Sequence, residues 1–156
     1  MANEVVKKEP MFTEGYVIMP YKYSVGTLAS KFFIEIRDHK KINGVKCPKC
    51  NIVIVPPRSV CIKCFNKIED LVELSGKGTL VTYTVAHYDS AVQAMKPPYA
   101  IGVIKLDGAD TAITHFIGEV DFKELKAGMK LEAVFNETRN ANILDIKYFK
   151  PVKNKG

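Results

Sequence analysis

Apolar residues recur at helical spacing in one stretch of this chain and alternate with polar ones over most of its second half. Between residues 26 and 42, Leu28, Phe32 and Ile36 fall at i, i+4 and i+8, and Ala29 and Phe33 widen the stripe. Lys31, Glu35, Arg37, Asp38 and Lys41 take mostly the other faces. Ser24 or Thr27 can cap the start, and Asn43-Gly44 reads as the stop. A helix is therefore predicted over 26–42. Its apolar band is broad enough to pack on its own domain or to face a partner.

Beyond residue 68 the period shortens to two. Strands are predicted at about 74–88, 99–107, 111–118, 129–137 and 143–150, with Asp107-Gly108 as a hairpin turn between the second and third. A short helix, Asp121 to Leu125, precedes Gly128. Five strands with one short helix between the third and fourth is the order of an OB-fold barrel. Gly76 and Gly78 would let the first strand bend around the barrel corner. Before residue 23, Pro10, Gly15 and Pro20 break any regular element, yet Gly15 to Tyr21 is apolar and aromatic. That arm is expected to lie on its own domain or on a partner.

Cysteine spacing supplies the chemistry. Cys47-Pro-Lys-Cys50 and Cys61-Ile-Lys-Cys64 are two C-x₂-C knuckles separated by ten residues, and they use all four cysteines of the chain. Two facing knuckles close a tetrahedron of sulfurs, which suits structural Zn²⁺. The intervening Asn51 to Arg58 reads as strand and turn, so residues 45–67 resemble a rubredoxin-like zinc ribbon. Lys49 and Lys63 sit inside the knuckles and offset thiolate charge. Iron is the main rival for a tetrahedral S₄ site and would imply an electron carrier. A redox dithiol fits two matched pairs less well. Four thiolates leave no open position, so the metal is read as structural.

The resulting class is mainly β: an N-terminal arm and helix (1–44), a zinc ribbon (45–67) and a C-terminal five-stranded OB-fold barrel (68–156). Apolar content of 47% and charged content of 26% fit an ordinary globular chain. No apolar run reaches the ~18 residues needed to cross a bilayer, and the first ten residues carry no apolar signal core. A cytoplasmic location is expected. The net charge of +6 is uneven: residues 1–67 hold 12 Lys/Arg against 5 Asp/Glu, and residues 68–156 hold 11 against 12. A zinc ribbon and an OB barrel can both bind single-stranded nucleic acid, but this barrel lacks a basic stripe, which makes that the alternative reading.

Catalytic signatures are missing from the sequence. His87-Tyr88-Asp89-Ser90 are adjacent on a predicted strand and point to alternate faces, so they cannot form a triad. His39 lies near a helix C-terminus, and His115 lies in an alternating strand as surface or barrel wall. The chain is read as no enzyme by itself.

The order of these elements resembles a family of zinc-ribbon/OB-fold proteins associated with thiolases and other acyl-CoA enzymes. The resemblance runs from about Tyr21 to Pro151. It rests on Ala29-Ser-Lys-Phe-Phe33, the two knuckles, Val55-Pro-Pro-Arg58 between them, Gly76-Lys-Gly78, Pro97-Pro-Tyr99-Ala100 and Leu125-Lys-Ala-Gly128-Met129. It implies a small subunit without its own active site, paired with a thiolase-fold or hydratase-type partner and shaping that partner's acyl-CoA site. The closest likeness is to partners of bacterial degradative thiolases. A thiolase needs a nucleophilic cysteine, and every cysteine here is committed to metal. The partner surface would be the Tyr21–Phe33 arm and helix. Candidate contacts to CoA are Arg58, Lys63 and Lys96 for its phosphates, with Tyr99 stacking on its base.

Overall fold

A computed structural model describes residues 11–15, 17, 19–89 and 95–152. Tyr16, Ile18 and Ser90 lie outside the described residues, as do residues 153–156. The elements in order are α1 (Gly26–His39), β1 (Ile42–Lys46), β2 (Val53–Ile54), β3 (Leu71–Leu74), β4 (Lys77–Ala86), β5 (Tyr99–Leu106), β6 (Ile113–Ile117), β7 (Lys130–Phe135), a 3₁₀ turn (Ile143–Asp145) and β8 (Ile146–Pro151). Strands β4-β5-β6-β8-β7 close into a barrel, and β2-β1-β3 form a small separate sheet. In the barrel, β6 and β8 pair in parallel while the other neighbours are antiparallel. The class is the one the sequence predicts: mainly β, one helix, a closed five-stranded barrel and a cluster of four cysteines. Among the described residues no helix is long and apolar enough to cross a membrane.

The helix stops three residues early. Lys40 takes the left-handed conformation at φ 56°, and its N–H and that of Lys41 close back on Ile36 and Glu35 carbonyls, both at 3.2 Å. Neither Ser24 nor Thr27 is the N-cap; Val25 holds that position with no side-chain cap. Asn43-Gly44 is not a stop signal but the buried middle of β1. The glycine is required there by close approach, since a Cβ would lie 3.0 Å from the Ile54 carbonyl oxygen and 3.1 Å from Val53 Cγ1.

The predicted first strand, 74–88, corresponds to β4, but its first residue, Leu74, is the end of β3. Gly76, at φ 71°, turns the chain out of the β1–β3 pairing and into the barrel. The short helix expected at Asp121 to Leu125 is a turn. Asp121 Oδ1 accepts the Lys123 N–H at 2.9 Å, a local bond that competes with helix formation. The last strand starts late for a similar reason. Asn142 Oδ1 accepts the Leu144 N–H, and the buried Asp145 carboxylate accepts N–H groups of Asn140 and Ala141 at 2.9 and 2.7 Å.

One core joins helix, small sheet and barrel. Phe32 and Ile36 pack with Ile42, Val55 and Leu74 and with barrel residues such as Leu80, Ile104 and Phe149. The stripe predicted on α1 is therefore covered by the chain itself. That corrects the expectation that Phe32 faces a partner, since its side chain is 2% exposed. Polar ties fix the same arrangement. Arg139 Nε donates to the Arg37 carbonyl near the end of α1. The β5–β6 connection pairs with the segment around β2 through Asp110 and Thr111.

Candidate metal centre

The two knuckles are conformational twins. In the first, the Cys47 N–H donates to the Ile52 carbonyl and the Asn51 N–H to the Cys47 carbonyl, at 2.9 and 2.8 Å. In the second, the Cys61 N–H donates to Asn66 and the Phe65 N–H to Cys61, at 2.9 and 3.1 Å. Each turn needs a left-handed residue just after its second cysteine, and Asn51 and Phe65 supply it at φ 59° and 57°. Backbone N–H groups also reach the sulfurs: Cys50 N–H to Cys47 Sγ and Lys63 N–H to Cys61 Sγ, both 3.4 Å.

This folding brings all four predicted ligands together. The sulfurs of Cys47, Cys50, Cys61 and Cys64 lie within 4.8 Å of one another, with Cys47 and Cys64 Sγ 3.6 Å apart. A tetrahedron with Zn–S bonds of ~2.3 Å puts its sulfurs ~3.8 Å apart, so the set is close enough to hold a tetrahedral metal ion. Cys47 and Cys61 are buried, and Cys50 and Cys64 face partly outward. Val45, Ile54 and Ile68 back the site and form a small apolar cluster with the buried cysteines.

The thiols do not share one acidity. The Cys64 backbone N–H, with help from that of Lys63, draws Cys61 down to about 7. Hydrogen bonding with Cys64, followed by burial, pushes Cys50 up to about 12. Removing one proton thus makes removal of the next harder, the behaviour of a ligand set that wants a cation at its centre. Four soft anionic donors suit a thiophilic metal, and with the tetrahedron filled the ion has no position for substrate. Held there, an ion would tie the two knuckles together.

The predicted CoA contacts are not brought into one site. Arg58 is exposed and lines a groove beside α1, whereas Lys63, Lys96 and Tyr99 do not line it. Lys63 is exposed on the second knuckle, and Lys96 is exposed just before β5. Tyr99 is 8% exposed, with the edge of one ring against the other in its contact with Phe116, so it presents no open face for a base. His115 proves to be buried wall. It accepts the Phe116 N–H at Nδ1 (2.9 Å), which leaves Nε2–H to donate to the Ile143 carbonyl (3.1 Å). His87, Tyr88 and Asp89 are exposed beyond the end of β4. The arm does not lie on its own domain: Met11, Phe12, Val17, Met19, Tyr21 and Tyr23 are each at least 74% exposed. Sequence reasoning did not find Phe65, Asp110, Thr111 or Arg139. Of these only Asp110 and Thr111 carried a signal, as polar residues just after a hairpin turn.

A closed five-stranded OB barrel joined to a four-cysteine cluster is a recognisable class, and comparison with known proteins agrees on the barrel. Residues 71–136 match the family described as ChsH2, C-terminal OB-fold domain. A DUF35 domain-containing scaffold protein of Methanocaldococcus jannaschii is 34% identical over 125 residues, covering 77% of this chain and 88% of the relative. Another, of Pyrococcus furiosus, is 24% identical over 110 residues, covering 70% and 79%. Among solved structures, the Ltp2-ChsH2(DUF35) aldolase superposes with a TM-score of 0.63 at 22% identity, over 83% of this chain and 98% of that one. A DUF35 protein of unknown function from Sulfolobus solfataricus gives 0.61 at 25% identity, over 81% and 87%. The chain belongs to the family of DUF35 domain-containing scaffold proteins.

Proposed function

We propose that this chain is the non-catalytic, zinc-binding subunit of an acyl-CoA thiolase complex, supporting assembly and the partner's acyl-CoA site. The observation that carries the reading is the uncovered arm. Six large apolar side chains between Met11 and Tyr23 stand in solvent on a chain that buries its helix stripe completely at Phe32 and Ile36. Such a concentration of apolar surface is costly in water and fits a surface that another protein covers. Relatives named as scaffold proteins, and a solved relative named with an aldolase, support an enzyme as that protein. With the four cysteines gathered at one metal site, the chain has no thiol left for acyl transfer, so the nucleophile belongs to the partner. The partner surface is the arm and the start of α1, with Tyr21, Tyr23 and Val25 as its exposed members. Lys63 and Lys96 are the cations we assign to the phosphates of CoA held by the partner. The resemblance to partners of bacterial degradative thiolases supports a cytoplasmic complex that acts in the breakdown of aromatic or other carboxylic acids.

The test is a tagged purification from the native host, with co-purifying proteins identified by mass spectrometry and metal by elemental analysis. The expected result is a stoichiometric thiolase-fold subunit and one zinc per chain. Recovery of the chain alone, or with RNA that resists moderate salt, overturns the reading.

A further inference from the structure

A groove of about 930 Å³ runs between the first turns of α1 and the second knuckle. Buried Cys61 and Ile68 lie along its floor, and Val25, Val60, Ile62 and Phe65 line it with exposures from 45% to 79%. Two observations distinguish it from ordinary apolar surface.

The first is Phe65. The knuckle turn demands a left-handed residue, and the twin position holds Asn51, a type that enters that region easily. A bulky aromatic residue is strained there, and at 79% exposure the ring recovers little of that strain by packing. Both its backbone and its side chain are therefore poorly placed for the isolated subunit. The second is charge. Lys31, Arg58, Lys67 and Glu69 are the ionic residues lining the groove, and Lys67 is already paired with Glu69 at 2.6 Å. Lys31 acts on the same Glu69 from beyond ion-pair distance, and no ion pair among the described residues takes up Arg58, so three cations face one carboxylate and the groove is apolar in its walls and positive at its rim.

We infer that this groove seats an apolar segment with acidic flanks from the catalytic partner, with the Phe65 ring as its anchor and Lys31 and Arg58 meeting the acids. The inference rests on the proposed role as an enzyme's subunit. It extends that interface from the arm, which enters the helix at Val25, across to the metal knuckle.

A photo-crosslinking side chain, p-benzoylphenylalanine, placed at position 65 of the full chain in the native host tests it, with position 88 on the far loop as the control. The expected result is a covalent adduct from position 65 with the co-purifying enzyme subunit, mapped to an apolar peptide bordered by Asp or Glu. Phe65→Asn should then weaken binding of that purified subunit roughly 30-fold, with metal content unchanged and thermal midpoint equal or higher. If the enzyme co-purifies but position 65 crosslinks only to a second copy of this chain or to nothing, the groove assignment falls and the proposed function stands. Unchanged affinity of Phe65→Asn likewise removes the anchor. If no enzyme co-purifies at all, both readings fall together.

Discussion

Replacing Thr111 by Val should loosen the ribbon from the barrel. Thr111 Oγ1 accepts the Val55 N–H at 2.7 Å and donates to the Val55 carbonyl at 2.8 Å, so one hydroxyl serves both polar groups of a residue that is 2% exposed. Valine has nearly the same shape and can do neither. An orphaned buried N–H costs about 1–3 kcal/mol, and a second lost bond adds about 1 kcal/mol, giving a loss of roughly 2–4 kcal/mol. Thr111→Ser keeps both bonds and removes one methyl, worth about 1 kcal/mol or less. Urea unfolding at saturating metal separates the two, because ligand linkage is then the same for all variants. Hydrogen exchange at the Val55 amide should rise in the Val variant and not in the Ser variant. A Val variant within 0.5 kcal/mol of wild type, or a Ser variant as unstable as Val, would refute the hydroxyl's role.

Phe32→Ala should destabilise the fold by about 3–5 kcal/mol because its ring is buried in the shared core, whereas Tyr21→Ala on the arm should stay within about 0.5 kcal/mol; thermal melts decide between them. Cys61→Ser should abolish stoichiometric metal, read by elemental analysis, and unfold the segment around the knuckles while barrel circular dichroism persists. Burial holds the His115 imidazole below its ordinary range, so the unfolded chain binds a proton below pH ~6.5 that the folded chain refuses until lower pH. Its contribution to stability is complete above that pH and is lost as pH falls through the folded value. His115→Gln should flatten the change in urea midpoint between pH 7.5 and 5.5; an unaltered slope would show that other groups set it.

The sequence carried the four-cysteine cluster and the barrel order because both depend on strict spacing. Cysteine pairs cannot slip by one residue and still close a tetrahedron, and a one-residue slip in a strand reverses every side chain. What it hid were features set by contact between distant segments. Asn43-Gly44 has the composition of a helix stop, but it is a strand because β2 passes within 3.0 Å of where a Cβ would be. Leu74 to Tyr88 read as one strand, and only pairing with β1 shows that Leu74 ends a separate strand, Leu71–Leu74, of another sheet. The burial of Phe32 could not be separated from a partner contact by periodicity alone, since both need the same stripe. Tyr99 opens its strand as predicted, but alternation alone could not tell that its ring lies against Phe116 rather than open to a base.

The helix connects these parts. Leu28, in its first turn, packs on the cluster around the cysteines, and Phe32 and Ile36, a turn and two turns later, enter the barrel's core. Its far end is tied by Arg139, from the loop after β7. A helix fixed this way at both ends does not need a partner to hold it, so the apolar surface that asks for one lies before it, on the arm, and beside its first turn, on the second knuckle. Those two surfaces share an edge at Val25, which ends the arm and lines the groove. The four-cysteine site lies just beneath, because Cys61 forms part of the groove's floor. An ion that fixes the knuckles therefore also fixes the shape of the surface offered outward. A metal ion held here would thus have a role that does not require it to meet a substrate.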